Sequence, residues 1–210
     1  MTLGDVWTLL ERTIFPVPST NTYFNHYNDN IPDLDLPGAE NIRRRNLRKY
    51  LESHPEKPKA LLVGEAPGYR GCRFSGVPFT SEAQLCSGIL SFTGERSSRI
   101  NPPWKENTAT IFWKVMIRYH PKFIAWNCFP FHPHTPNNRL TNRHPKKREI
   151  ERYSKTLSDM ISLIEPKVII AVGKKAEETL QNMNHDPKYV RHPARGGAMK
   201  FKQGITKILS

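Results

Sequence analysis

The stretch Gly64-Glu65-Ala66-Pro67-Gly68 sets a carboxylate inside a glycine-bracketed turn, directly after the apolar run ALLV. The two glycines let backbone approach a flat ligand, and Pro67 stiffens the bend. Glu65 is therefore placed for acid-base work or for holding backbone against a ligand. A solvated carboxylate in a strand-end turn is the plainer reading of the same letters. Asn127, closing FIAWN, carries a donor and an acceptor side by side, which match an imide edge such as that of uracil. An asparagine after a strand also serves as a turn former. His192, in RHPARGG, has Pro193 fixing the chain and Gly196 and Gly197 keeping it close to a bound backbone; a lone histidine is also commonly a satisfied structural residue. GEAPGYRG fits neither GxxxxGK[ST] nor a GxGxxG turn joined to a helix, which argues against a nucleotide hydrolase.

These residues need elements to position them. KALLVG, KFIAWN, KVIIAVG and KYV read as short strands. Between them lie amphipathic stretches. SEAQLCSGILSF is expected to be a helix capped by Ser81 and Gln84. TATIFWKVMIRY is expected to bury Ile111, Val115 and Tyr119 on one face. Ile150, Tyr153, Leu157, Ile161 and Ile164 recur at helical spacing before Pro166 ends the run, and KKAEETLQNM follows as a helix. This alternation predicts an α/β fold, a three-layer α/β/α domain with a mostly parallel four-stranded central sheet. One domain spans residues 1–210, with residues 1–58 as an amino-terminal wrap holding helix candidates at 6–14 and 39–53. Ligands of such sheets sit at the carboxyl ends of the strands, which selects the loops 64–80, 127–136, 173–175 and 192–197.

Composition narrows the partners. The chain has 210 residues, 32 Lys and Arg against 19 Asp and Glu, a formal net charge of +13 and a mean hydropathy of −0.60. The excess is bunched at Arg43, Arg44, Arg45, Arg48 and Lys49, between 139 and 152, and from Lys188 onward. A polyanion is the expected partner, since neutralising phosphates releases condensed counterions without reading sequence; a basic protein without such a partner is the bland alternative. No apolar run approaches the ~18 residues of a membrane span, and the first residues lack the pattern of an export signal. Cys72, Cys86 and Cys128 are odd in number and widely spaced, which argues for a reducing interior, so the expected location is the cytoplasm.

Taken in order and after successive strands, Gly64-Glu65-Ala66-Pro67-Gly68, Pro78-Phe79, Asn127 and His192-Pro193-Ala194 resemble the uracil-DNA glycosylase superfamily, and the GEAPG spelling its iron-sulphur branch. The likeness covers about residues 58–200. It implies an enzyme that flips a damaged base out of DNA and cuts its N-glycosidic bond. By this resemblance Glu65 and His192 are the catalytic candidates, with His192 stabilising the negative oxygen of the departing base. Gly64, Ala66, Pro67, Gly68, Phe79 and Asn127 form the base site, Asn127 reading the base edge and Phe79 stacking on its face. Without the motif, Phe79 reads as a core residue. Arg191, Arg195, Gly196 and Lys200 are the expected DNA contacts.

The sequence departs from the family pattern at several points. Many members carry Asp or Asn where this chain has Ala66, leaving Glu65 as the nearest group to orient water or, alternatively, to position backbone. Gly68 stands where strict uracil enzymes have a tyrosine that bars the methyl of thymine. Three cysteines cannot supply the four thiolates of the cluster, so no cofactor is expected. Cys128, His132 and His134 have ligand chemistry but fall short of a closed zinc site, so no metal is expected either. HPARGG lacks the apolar wedge that often fills the vacated stack; Arg195 takes that place or only touches phosphate. The expected function is uracil excision in base excision repair by a monomeric DNA-binding enzyme. The alternative is a relative that binds DNA but has lost catalysis.

Overall fold

The apolar runs become the strands of one parallel sheet. Residues 3–55 and 57–210 are described by the structure, a computed structural model. In chain order it contains α1 (Leu3–Thr13), β1 (Tyr23–Phe24), α2 (Ala39–Glu52), β2 (Ala60–Gly64), α3 (Cys72–Ser75), α4 (Glu82–Leu85) and α5 (Asn107–Met116), which runs into a 3-10 turn at Ile117–Tyr119. β3 (Phe123–Asn127), β4 (His132–Pro133), α6 (Lys147–Ile164), β5 (Val168–Val172), α7 (Lys174–Asn182), β6 (Lys188–Val190) and α8 (Ala198–Leu209) follow. The central sheet has the order β3-β2-β5-β6 and every pairing in it is parallel. All residues of β2 and β3 are buried although their side chains alternate between faces, so helices cover the sheet on both sides, the three-layer arrangement expected.

Register sets the site. Gly64 lies opposite Asn127 at the carboxyl ends of β2 and β3. The ladder continues past both strands: Cys128 N–H donates to Gly64 O (2.8 Å) and Phe129 N–H to Glu65 O (2.9 Å). The turn holding Glu65 is thereby stitched to the segment leaving Asn127. A ribbon of β1 and β4, which the sequence does not announce, pairs Tyr23 with Pro133 and Phe24 with His132 and ties the amino-terminal region to the 127–136 loop.

The amino-terminal region does more than wrap the surface. Val6, Leu10, Ile14, Leu47 and Tyr50 belong to the same buried core as Leu61, Ile124 and Ile170. Tyr50 Oη accepts the Ala125 N–H (2.9 Å), satisfying a donor on the edge strand β3.

Several local expectations give way to tertiary contacts. The capping box at 81–84 forms, with Ser81 N–H donating to Gln84 Oε1 (3.0 Å), but the helix is a single turn. Its Glu82 carboxylate is buried and accepts the N–H groups of Ser97 and Ser98 (2.6 and 2.9 Å), so the chain closes a loop there instead of extending the helix. α5 buries Ala109, Phe112, Trp113, Val115 and Met116, not the Ile111 and Tyr119 face. α8, unforeseen, buries Phe201 and Ile205; Gly204 lets it approach Val190, which would lie 2.9 Å from a β-carbon at that position.

The first basic run is also reassigned. Arg43 is wholly buried and donates to His26 O (2.7 Å) and Asp29 O (3.0 Å), while Arg44 donates to Tyr27 O (2.6 Å). Arg45 and Lys49 reach Glu95, and Arg48 reaches Glu52. Arg43 and Arg44 thus knit loops together, whereas Arg45, Arg48 and Lys49 stay on the surface in exposed pairs.

Candidate active site

The four selected loops meet at one cavity of about 530 Å³. Glu65, Ala66, Pro67, Gly68 and Phe79 come from the first, Asn127 and Pro133 from the second, Gly173 to Lys175 from the third, and His192, Ala194 and Arg195 from the last. Glycine is required at 64 because a β-carbon there would lie 2.5 Å from Phe79 Cζ and 2.8 Å from Asn127 Oδ1. Backbone, ring and amide therefore converge at one corner of the cavity. Phe79 stacks on Phe112 (centroids 4.6 Å apart, 13° between planes), so it is a core residue on one side and a cavity wall on the other. It adopts φ of 54°, a left-handed conformation that an aromatic residue rarely holds. Such strain persists only where the surroundings enforce it and is common at ligand sites.

Asn127 is nearly buried, and no hydrogen bond to its carboxamide forms among the described residues, leaving it for a ligand. His192 has a defined tautomer. Its Nδ1 accepts the Ala194 N–H (3.2 Å); because backbone N–H can only donate, the ring proton sits on Nε2. Burial first, then the charges of Arg191 and Arg195, push this imidazole down to about 4, so it is neutral at pH 7 and offers one N–H.

Further cavity residues escaped the sequence reading. His144 Nδ1 lies 2.8 Å from Glu65 Oε1. It is held there by its neighbours: Asn142 Oδ1 accepts the Tyr69 N–H (3.0 Å), and Arg143 forks onto both Glu149 oxygens (2.7 Å each) while donating to Thr22 O (2.7 Å). Burial alone would raise the Glu149 carboxyl, but Arg143 and the Lys146 N–H hold it below the usual range. The His144-Pro145 dipeptide, a twin of His192-Pro193, is the one signal that pointed to His144 in the sequence. Glu106, just before α5, also lines the cavity; no local spacing marks it.

The expected DNA contacts divide. Arg191 and Arg195 line the cavity, and Arg195 is lifted to its rim by successive left-handed residues, φ 51° and 74° at Gly196. Gly196 and Lys200 are exposed but lie outside the lining. Lys174 and Lys175 stand on the rim in exposed pairs with Glu177 and Glu178, pairs weak enough for phosphate to replace.

The thiols do not fit an iron-sulphur cluster. Cys72 is buried beside His26 (3.7 Å), Cys86 is exposed near Gly94, and Cys128 is buried, its thiol pushed up to about 12 by desolvation. His132 stands with its two ring nitrogens each 3.0 Å from a carbonyl, those of Pro67 and Arg139, so it braces the Glu65 turn. No group of three or more metal-ligating side chains gathers among the described residues.

These imidazoles predict a pH dependence. His54, His132 and His192 are held near 4, and His26 well below its usual value, each chiefly by burial. Unfolded, they protonate near pH ~6.5. Their contribution to stability is therefore complete above that pH and lost as pH falls toward 4. Glu106, raised to about 7 by desolvation, acts in the opposite direction as a single group. Melting temperatures measured across this window are expected to fall with pH; a flat profile would contradict these assignments.

No helix is long and apolar enough to cross a membrane among the described residues. A family model of the uracil DNA glycosylase superfamily matches residues 52–208. The crystal structure of wild-type SMUG2 from Pedobacter heparinus superposes with a TM-score of 0.64 at 17% identity, covering 100% of this chain and 96% of that one. No curated protein matches the chain. The sheet order and the convergence of its strand-end loops agree with the match over three-quarters of the sequence, and the chain belongs to the uracil-DNA glycosylase superfamily.

Proposed function

We propose that the protein is a monofunctional uracil-DNA glycosylase, one domain acting as a monomer, that hydrolyses the N-glycosidic bond of uracil and other deaminated bases in DNA without a cofactor. The observation that carries this reading is the pair of unsatisfied groups in one cavity: the Asn127 carboxamide and the Nε2–H of His192, with Phe79 beside them. A flipped uracil would place its imide edge on Asn127, its face on Phe79 and its O2 at His192.

In the reaction the bond between N1 and C1′ breaks with its electron pair leaving on the base. Negative charge grows on O2, where the neutral His192 donates a hydrogen bond. Water adds its oxygen to C1′ and loses a proton. Glu65 takes the role of orienting this water and accepting that proton, since Ala66 has no side chain able to do so. His144 contacts the Glu65 carboxylate at 2.8 Å. Lys174, Lys175, Arg191 and Arg195 are the phosphate contacts, which position the strand without specifying the base.

The test is incubation with single-stranded and duplex oligonucleotides bearing uracil, hypoxanthine or a thymine mismatch, followed by alkali. Cleavage at uracil is expected. Salt-sensitive binding without alkali-labile sites on any substrate would instead favour a DNA-binding relative that lost catalysis, the reading that Ala66 supports.

A further inference from the structure

Glu106 is a cavity residue that the proposed reaction leaves unused. Its carboxyl reaches across to the Glu65 turn, where a β-carbon on Gly68 would overlap one oxygen and a β-carbon on Gly71 the other. Two glycines in one turn are thus matched to a single carboxyl from another element. No hydrogen-bond donor among the described residues meets either oxygen, and desolvation acts alone on the group, raising it to about 7. A half-buried carboxyl without a protein partner keeps its oxygens hydrated, and stripping that water is costly.

This inference rests on the base-pocket reading above. A pyrimidine held by Asn127 on its imide edge and by His192 at O2 has only its C5 edge left, and Gly68 and Glu106 line the same cavity. We propose that Glu106 is a specificity-determining residue whose carboxyl fills the space left by Gly68 and Gly71 and rejects bases carrying a methyl at C5. A hydrogen at C5 fits beside the carboxyl. A methyl would crowd its oxygens and strip them of water without supplying a donor, a difference of the kind that discriminates about 10- to 200-fold.

The test measures single-turnover excision of uracil and of thymine, each opposite guanine, by wild type, Glu106→Ala and Glu106→Gln. The alanine variant is expected to raise the thymine-to-uracil rate ratio about 10- to 100-fold. Glutamine, close in shape and polarity, is expected to keep the wild-type ratio, and neither variant should lower the melting temperature. An unchanged ratio in an active alanine variant would overturn the proposal while leaving the base pocket intact. Loss of both excisions in a folded alanine variant would make Glu106 catalytic and also overturn it. A wild-type protein that removes no uracil would overturn the base-pocket reading and this one with it.

Discussion

Replacing His192 by alanine is expected to slow uracil excision about 100- to 1000-fold, with DNA affinity and melting temperature close to those of wild type. The magnitude follows from timing. In the ground state the base carbonyl is a weak acceptor, so one N–H adds little to binding. In the transition state O2 carries much of the departing electron pair, and a preoriented donor meets that charge without having to reorganise. His192 is preoriented by the Ala194 N–H on Nδ1. Because its imidazole is held near 4, any acid limb it imposes on the rate lies near that pH and not near 6.5. Single-turnover rates and a binding titration on the same uracil-containing strand separate the two effects. A loss of less than about fivefold, well under the range for a removed oxyanion donor, would remove His192 from the chemistry.

Asp35→Ala is expected to destabilise the fold by about 3–5 kcal/mol. Asp35 is buried and binds Arg73 through both oxygens (2.5 and 3.0 Å) while lying 2.9 Å from Arg43, itself wholly buried. Burial first, and then the charge of Arg73, lower the Arg43 guanidinium to about 10, with Asp35 opposing both. Without the carboxylate, two buried cations would be left unpaired beside Phe24, whose ring lies 4.5 Å from Arg73 and 5.8 Å from Arg43. For a chain of this length the melting temperature should fall by about 6–20 °C. Arg73 sits in α3, immediately after the Glu65 turn, so activity should decline alongside stability. Thermal denaturation of the variant checks the first effect, and a change under 3 °C would contradict it.

Much of the fold was legible because burial writes itself into spacing. ALLVG and the first four residues of FIAWN are apolar throughout, as strands covered on both faces must be, and the Tyr153, Leu157, Ile161 and Ile164 stripe of α6 is buried as its period requires. The strand-end rule selects the loops that line the cavity, and Glu65, Phe79, Asn127 and His192 lie on them. Other features depended on contacts between distant segments. The letters of RRRNLRK are those of a solvated basic face, yet Arg43 is buried because Asp35 and two carbonyls await it. Glu106 precedes a helix, away from the strand ends, and only its approach to Gly68 and Gly71 brings it into the site. α8 was obscured by its lysines, which flank the Phe201 and Ile205 stripe that docks on β6.

The most direct measurement is a crystal structure of the protein with uracil and an abasic-site strand. The account predicts uracil stacked on Phe79, its imide edge on the Asn127 carboxamide and O2 within hydrogen-bond distance of His192 Nε2. Uracil bound away from this cavity, or bound within it with O2 turned from His192, would contradict it.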